Sequence, residues 1–324
     1  MGLDVGSTTV KLVLLDKNDK IQYSKYQRHF SDIRKTIFDL VDETCARFEQ
    51  DDLTVTLTGS GGISVAQWLG LDFEQEVIAA TGAIQSQIPQ TDVAIELGGE
   101  DAKITFFADG IEQRMNGTCA GGTGAFIDQM ASLLQTDAAG LDKLAQGYKV
   151  IYPIAARCGV FAKTDIQPLL NEGAAKADIA ASVFQSVVNQ TISGLACGRP
   201  IKGNVAFLGG PLYFLPELRK RFIETLDLSA DQVVFPDQSQ LFVAAGAALA
   251  SKSRQVMSFK SLRERLPSIN SVTVHEVERL SPLFRDEIEL GDFKRRHSRH
   301  KVERKELSTH RGPSFLGIDA GSTT

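Results

Sequence analysis

The chain contains one pattern twice in tandem: an apolar strand, a loop of glycines and carboxylates, a hairpin, and a helix. The first copy begins at Gly2–Thr9 and continues into the apolar run Val10–Leu15. The second begins at Asp92–Leu97, passes through Gly98-Gly99 and continues into Lys103–Phe107. Strands that alternate in this way with hairpins and helices predict an α/β fold. Two such lobes in tandem also predict a ligand cleft between them.

Helices are predicted where apolar residues recur at helical spacing. Ser31 is expected to N-cap the first helix, because Ile33, Ile37, Leu40 and Val41 fall on one face of it. Further predicted helices are Glu74–Gln87, about Thr123–Leu134, about Ala177–Ala196, one that starts near Pro216, and Leu241–Ala250. A third strand, Asn204–Leu208, is expected to run into another glycine loop.

The loop of the first copy has the composition of a phosphate-binding loop. Gly6 permits a close backbone approach, and the amides and hydroxyls of Ser7, Thr8 and Thr9 can surround phosphate oxygens. Asp4 can hold Mg²⁺ through water. Lys11 can add a point charge. A β-turn made of favourable turn residues explains a single motif of this kind equally well.

Two further loops weaken that simpler explanation. The second, Glu96-Leu97-Gly98-Gly99-Glu100-Asp101, combines paired glycines with three carboxylates. With Asp4, the carboxylates Glu96, Glu100 and Asp101 are the candidate catalytic groups. The third loop contains Gly209 and Gly210 but no carboxylate, so it suits a nucleobase or a ribose. Three glycine loops at strand ends in this order favour a nucleotide site over three unrelated turns.

The order of these motifs resembles the ATPase superfamily of actin, the 70-kDa heat-shock chaperones and the sugar kinases over residues 1–250. Gly2–Lys11 is similar to its first phosphate motif, Ile95–Lys103 to its second, and Val205–Pro211 to its adenosine motif. Segments within Glu74–Gln87 and Leu241–Ala250 resemble its two connecting helices. The resemblance implies two ribonuclease-H-like lobes, residues 1–88 with 241–250 and residues 89–240, which close on Mg-ATP.

Two cysteines, Cys119 and Cys158, each precede a predicted helix. The free amides and the positive dipole end of a helix favour a thiolate, and thiolates are the ligands of iron–sulfur clusters. Two cysteines that are 39 residues apart supply only half of the usual four ligands, although two copies about a two-fold axis could supply all of them. From spacing alone, ordinary buried thiols are the preferred interpretation.

The motifs around these cysteines resemble those of the ATPase activators of 2-hydroxyacyl-CoA dehydratases and of related benzoyl-CoA reductase subunits. The matching segments are Asn116–Gly124 and Cys158–Ala162. The resemblance implies that Cys119 and Cys158 of two copies hold one [4Fe–4S] cluster. It also implies that ATP hydrolysis drives a low-potential electron, supplied by a ferredoxin or flavodoxin, to a dehydratase or reductase. Glu100 departs from this family, whose short members usually have Gln there.

Two other functions remain open at this stage. A small-molecule kinase of the same fold, such as an acetylated-sugar kinase, would need an acceptor site and a base carboxylate and would have no use for Cys119 and Cys158. A nucleotide-dependent regulatory module would open and close without electron transfer. The other two cysteines do not decide between these functions, since Cys45 is expected in the core and Cys197 has no counterpart in the activator motifs.

The end of the chain differs in composition from the rest. Residues 1–250 carry 20 Lys and Arg against 30 Asp and Glu, whereas residues 251–324 carry 15 against 10. We interpret residues 251–315, with the cationic run Lys294–Lys305, as a basic linker or extension. Docking to an acidic partner is the alternative, and nucleic acid is not expected. The histidines suggest no zinc site.

The last eight residues, Gly317–Thr324, match Gly2–Thr9 at six positions. We therefore expect residues 316–324 to be the truncated start of a second ATPase unit, as in a long tandem activator. The second pair of thiolates could then come from that unit or from a second copy in a homodimer. No apolar run is long enough for a membrane span and no signal-like segment is present, so the cytoplasm is the expected location.

Overall fold

The computed structural model of the chain describes residues 1–108, 110–116, 121–271, 281–302, 304 and 306–319. The chain divides into two compact units, residues 1–272 and 273–324. The first unit holds two mixed β-sheets with helices around them. Within the described ranges, no helix is both long and apolar enough to cross a lipid bilayer.

The first sheet forms lobe I and has the strand order β3-β2-β1-β5-β6. Its strands β1, β2 and β3 are antiparallel neighbours, and β5 and β6 continue the sheet in parallel with β1. The elements are β1 Gly2–Val5, β2 Thr9–Leu15, β3 Ile21–Arg28, α1 Ile33–Arg47, β4 Asp52–Leu53, β5 Thr56–Thr58, α2 Gly62–Leu69, β6 Asp72–Phe73 and α3 Glu76–Gln87.

The second sheet forms lobe II and has the order β11-β10-β7-β8-β9. Its elements begin with β7 Val93–Leu97, β8 Ala102–Phe106, β9 Glu112–Met115, α4 Gly124–Leu133, α5 Ala138–Ala145, α6 Gly159–Asn171 and α7 Lys176–Thr191. They continue with β10 Val205–Leu208, α8 Gly210–Phe214, α9 Pro216–Thr225, β11 Val233–Val234 and α10 Phe242–Ala250. A π-helical turn, Ile192–Ala196, extends α7, so the helix predicted over 177–196 exists but changes its hydrogen bonding near the end.

The two sheets share one connectivity, because β7–β8–β9 repeats the β1–β2–β3 meander and β10 and β11 add parallel strands as β5 and β6 do. The predicted α/β fold with two lobes is therefore confirmed. Each lobe has its own apolar core. Carboxylates and glycines that follow β1, β7 and β10 consequently lie at equivalent edges of the two sheets.

The helices α3 and α10 pack closely, and α10 also lies against β1 and β2. Small side chains make this approach possible: a Cβ at Gly246 would overlap the carbonyl oxygen of Ala79, and one at Gly2 would overlap that of Ala244. The alanine-rich composition of both helices thus permits backbone-to-backbone packing, and the buried alanines also belong to two small apolar clusters at this contact.

The start of α1 differs from the prediction. Asp32, not Ser31, is the N-cap, because its carboxylate accepts from the Lys35 amide. Phe30 and Ser31 both have left-handed backbones, with φ of 45° and 68°. These two residues reverse the chain before the helix, which leaves Ser31 outside it.

The sequence predicts that the ATPase lobes end near residue 250 and that a basic linker follows. This boundary is wrong for residues 251–271. Met257–Ser258 forms β12 and pairs with β4, and the following helices α11 Phe259–Arg265 and α12 Ser268–Ser271 lie on lobe I. Phe259, Leu262, Leu266 and Ile269 are buried in the core of that lobe. Their helical spacing was hidden by the charged residues between them.

The second unit contains a helix that was not predicted, α13 Glu287–Ser298. Asp286 caps it by accepting from the Glu289 amide, and Arg295, Arg296 and His297 occupy its last turn. The cationic run therefore begins on a helix, where positive side chains favour the C-terminal dipole end. Of the predicted second ATPase start, residues 316–319 are exposed and residues 320–324 lie outside the described residues.

Candidate nucleotide site

The three glycine loops converge on one cleft of about 620 Å³ between the sheets of the first unit. Of the predicted site residues, those that line it are Asp4, Gly6, Ser7, Thr8, Thr9, Lys11, Glu96, Gly98, Gly99, Asp101, Gly209 and Gly210. Glu100 is the exception in this loop, because its side chain is exposed and does not line the cleft. The Asn116 side-chain amide donates to the backbone oxygen of Glu100 at 3.0 Å.

The first two loops touch each other across the cleft. The first loop closes with a hydrogen bond from the Gly6 amide to the Thr9 carbonyl at 3.0 Å. A Cβ at Gly99 would collide with the Thr8 side chain, so glycine is needed at that position for the loops to meet. The third loop lies equally close, since Gly209 has a φ of 91° and packs against the Leu97 carbonyl.

Lysines and carboxylates alternate at the base of the cleft. Lys11 Nζ lies 2.7 Å from Asp4 Oδ2. Lys103, on β8, is buried between Glu76 and Glu96, with its Nζ 3.4 Å from Glu96 Oε1. The three carboxylates in these described ion pairs belong to Asp4, Glu76 and Glu96, whereas Lys11 and Lys103 supply only two ammonium groups, so the pairs carry one excess negative charge.

The ion pairs change the protonation of the buried groups. Burial alone would lower the pKa of Lys103, but Glu96 and Glu76 together raise it well above its ordinary value. Burial raises the pKa of Glu76, an effect that Lys103 opposes and that the charges of Asp4 and Glu96 reinforce. Lys103 therefore stays charged, and Glu76 is the carboxyl group of this cluster that protonates more readily than usual.

The sequence interpretation did not single out Glu76 or Lys103 as site residues. Lys103 lay at the edge of the second phosphate motif, and Glu76 lay at the start of a helix that had been interpreted only as a connection. A charged residue in the first turn of α3, shortly before its run of small residues, was the available signal. Lys103, the partner of Glu76, lies 27 positions away on another element, and no local sequence pattern can reveal such a pair.

Side chains from both lobes also meet at the mouth of the cleft. Arg28 on β3 makes a two-pronged contact with Asp128 on α4, with N–O distances of 2.7 and 3.2 Å. The rings of Tyr26 and Phe214 meet edge to face with centroids 5.2 Å apart. These contacts join lobe I to lobe II beside the loops.

The cysteines divide into distinct environments. Cys119 lies outside the described residues. Cys158 is a half-buried free thiol at the N-cap of α6, as predicted from the motif. Cys45 is buried in lobe I, where burial and the charge of Asp42 raise the pKa of its thiol to about 11. Cys197 is an exposed free thiol. The described residues contain no group of three or more candidate metal ligands.

One helix, α4, connects the second phosphate loop with the segment that carries Cys158. The Gly124 and Ala125 amides donate to the Gly98 and Gly99 carbonyls at 3.0 and 2.7 Å. Just before α4, the backbone of Gly121 packs so closely against the carbonyls of residues 156 and 157 that no Cβ fits there. The helix α4 also contacts α6, where the backbone of Gly159 lies against the side-chain amide of Gln129.

The sequence and the fold are similar to those of known proteins. The activator of 2-hydroxyisocaproyl-CoA dehydratase from Clostridioides difficile is 28% identical over 77% of this chain and 93% of its own length. The solved structure of that kind of activator from Clostridium difficile, with bound ADPNP, is 25% identical, covers 85% of this chain and 98% of its own, and has a TM-score of 0.65.

A second solved structure gives the same result. Component A of (R)-2-hydroxyglutaryl-CoA dehydratase from Acidaminococcus fermentans is 26% identical, covers 81% of this chain and 97% of its own, and has a TM-score of 0.68. The model of the BadF/BadG/BcrA/BcrD ATPase family matches residues 1–251, which contain all three glycine loops. This chain therefore belongs to the BadF/BadG/BcrA/BcrD ATPase family, and it is an ATPase.

Proposed function

We propose that the chain is an ATP-dependent activator of a 2-hydroxyacyl-CoA dehydratase or a related CoA-substrate reductase, acting in the cytoplasm. One observation carries the proposal: α4 is hydrogen-bonded to the second phosphate loop and packs against α6, the helix whose N-cap is Cys158. A shift of that loop on nucleotide binding or hydrolysis would displace the cysteine segment as well. A plain kinase of this fold has no use for such a connection.

In this proposal the three loops hold Mg-ATP. The first two loops surround the phosphates with backbone amides and hydroxyls, and the Gly209-Gly210 loop receives the adenosine. Asp4 holds Mg²⁺ through water, and Glu96 and Asp101 complete the charged wall. A divalent cation is required on electrostatic grounds, because the carboxylates at the base outnumber the lysines before a polyphosphate enters.

The residues of this chain fit half of an iron–sulfur site. Cys158 is half-buried, is not in a disulfide and precedes a helix, and Cys119 supplies the second thiol. Two copies related by a two-fold axis would supply four thiolates, and the exposed side chains of Val160 and Phe161 beside Cys158 would pack in that interface. When bound, a [4Fe–4S] cluster supplies one-electron transfer from a ferredoxin or flavodoxin to the dehydratase.

The proposal is tested by anaerobic purification followed by iron, sulfide and EPR measurements. We expect about four iron atoms for every two chains. Cys158→Ser should lose the iron and still bind Mg-ATP, because the thiol lies outside the cleft. Cys197→Ser is the matched control, since it removes an exposed thiol and should keep the iron. An iron-free wild-type protein that phosphorylates a sugar would contradict the proposal.

A further inference from the structure

His29 lies beneath the first phosphate loop and contacts it at two points. Its backbone amide donates to the Thr8 carbonyl, and its ring Nε2 lies 3.2 Å from the Gly6 carbonyl oxygen. The residue is 5% exposed and does not line the cleft. It therefore contacts the loop from outside the cleft.

The second ring nitrogen identifies the tautomer. The Ser31 amide donates to Nδ1 at 3.1 Å. A backbone amide can only donate, so Nδ1 must be the unprotonated nitrogen and Nε2 must carry the hydrogen. The Nε2–H then donates to the Gly6 carbonyl. An imidazolium would place a second N–H against the Ser31 amide, which the observed geometry does not accommodate.

These contacts orient the peptide that follows Gly6. In a trans peptide the N–H points away from the preceding carbonyl. With the Gly6 carbonyl held by His29, the Ser7 amide points away from His29, and Ser7 lines the cleft. Without the ring, the Gly6 carbonyl loses its donor and this peptide can rotate.

The same ring also supports a strained turn. Phe30 and Ser31 have consecutive left-handed backbones, which are unfavourable for residues other than glycine. The bond from the Ser31 amide to Nδ1 and the bond from the Asp32 amide to the His29 carbonyl at 2.7 Å hold this turn. The turn places the exposed ring of Phe30 at the edge of the cleft.

We propose that His29, as the neutral Nε2–H tautomer, is a positioning residue that sets the first phosphate loop for nucleotide binding. The proposal rests on the proposed nucleotide site. A residue of this kind acts by keeping the loop in its binding-competent geometry. When the competent fraction falls, the apparent affinity for the nucleotide falls by the same factor.

Two neutral variants separate the contacts of the ring. Gln at position 29 can place an amide N–H where Nε2–H lies, and so retains the bond to Gly6. Asn reaches only as far as Nδ1, and so retains the acceptor for Ser31 but loses the donor to Gly6. In steady-state ATPase assays we expect His29→Asn to raise KM for Mg-ATP about tenfold, with kcat changed less than about twofold. His29→Gln should stay within about twofold of the wild type.

The exposed His310 provides the control, and His310→Ala should leave both constants unchanged. Equal KM values for His29→Gln and His29→Asn, or an unchanged KM in His29→Asn, would overturn the proposal. If the wild type itself fails to bind Mg-ATP, the proposed function fails instead. A measurement on the wild type needs no variant: long-range ¹H–¹⁵N NMR of histidine-labelled protein should show His29 as Nε2–H, and an Nδ1–H or doubly protonated ring would overturn the proposal.

Discussion

The contact between α3 and α10 makes a quantitative prediction about Gly246→Ala. The added Cβ would lie 1.8 Å from the Ala79 carbonyl oxygen, where real Cβ atoms stay beyond 3.0 Å. The obstacle is backbone, so the two helices must separate by at least about 1.2 Å. Overpacking costs about 3 kcal/mol at the upper end of its usual range, and the helix propensity of alanine returns about 1 kcal/mol. We expect a net loss of about 2 kcal/mol.

Gly82→Ala is the matched control, because Gly82 lies on α3 and a Cβ there meets nothing within 4 Å. That variant should gain up to about 1 kcal/mol from helix propensity alone. Thermal unfolding followed by circular dichroism and calorimetry should therefore place Gly246→Ala about 4–8 °C below the wild type and Gly82→Ala a few degrees above it. A Gly246→Ala protein as stable as Gly82→Ala would refute the packing argument.

Three further predictions concern charges and thiols. Lys103→Met leaves the buried Glu96 and the half-buried Glu76 uncompensated, so it should cost about 3–5 kcal/mol at pH 7 in urea unfolding, and the deficit should shrink as the pH falls, because burial raises the pKa of Glu76 and this carboxylate then takes up a proton. A double-mutant cycle with Arg28→Met and Asp128→Asn should give a coupling of only about 0.2–1 kcal/mol that decreases with salt, because the pair is partly exposed; a coupling above about 2 kcal/mol would contradict this assignment. Burial raises the pKa of the Cys45 thiol from about 9 in the unfolded chain to about 11 in the folded protein. The contribution of this thiol to the free energy of unfolding is therefore complete below about pH 9 and decreases between pH 9 and pH 11, because the unfolded chain ionises first. A thiol reagent at pH 8 should accordingly label Cys197 rapidly and Cys45 only on unfolding, and rapid labelling of Cys45 in the native protein would contradict its burial.

The glycine loops were predictable because turn chemistry is local. Gly6, Gly98 and Gly209 each follow a strand of apolar residues, and each takes part in a close backbone approach that the structure shows. The α/β class followed from the same order of elements. Cys158 was likewise placed before a helix by a short motif, and the structure confirms it as the N-cap of α6.

The features that escaped prediction depend on contacts between distant residues. Glu76 meets Lys103 only when α3 and β8 pack together, and His29 reaches Gly6 only after β2 and β3 have paired. The Phe30-Ser31 turn adopts a backbone that its residue types rarely prefer, so tertiary contacts override local propensity there. The apolar stripe of Phe259, Leu262, Leu266 and Ile269 is obscured in the sequence by the charged residues between its members.

In the proposed function, the nucleotide in the cleft acts on the cysteine segment through α4. The most direct test of this action is the EPR spectrum of the anaerobic, dithionite-reduced protein, recorded without nucleotide, with Mg-ADP and with Mg-ADPNP. We expect an iron–sulfur signal whose shape changes with Mg-ADPNP and which is absent from Cys158→Ser. A signal that is identical in all three states while ADPNP is bound, or a protein without iron that still hydrolyses ATP, would contradict it.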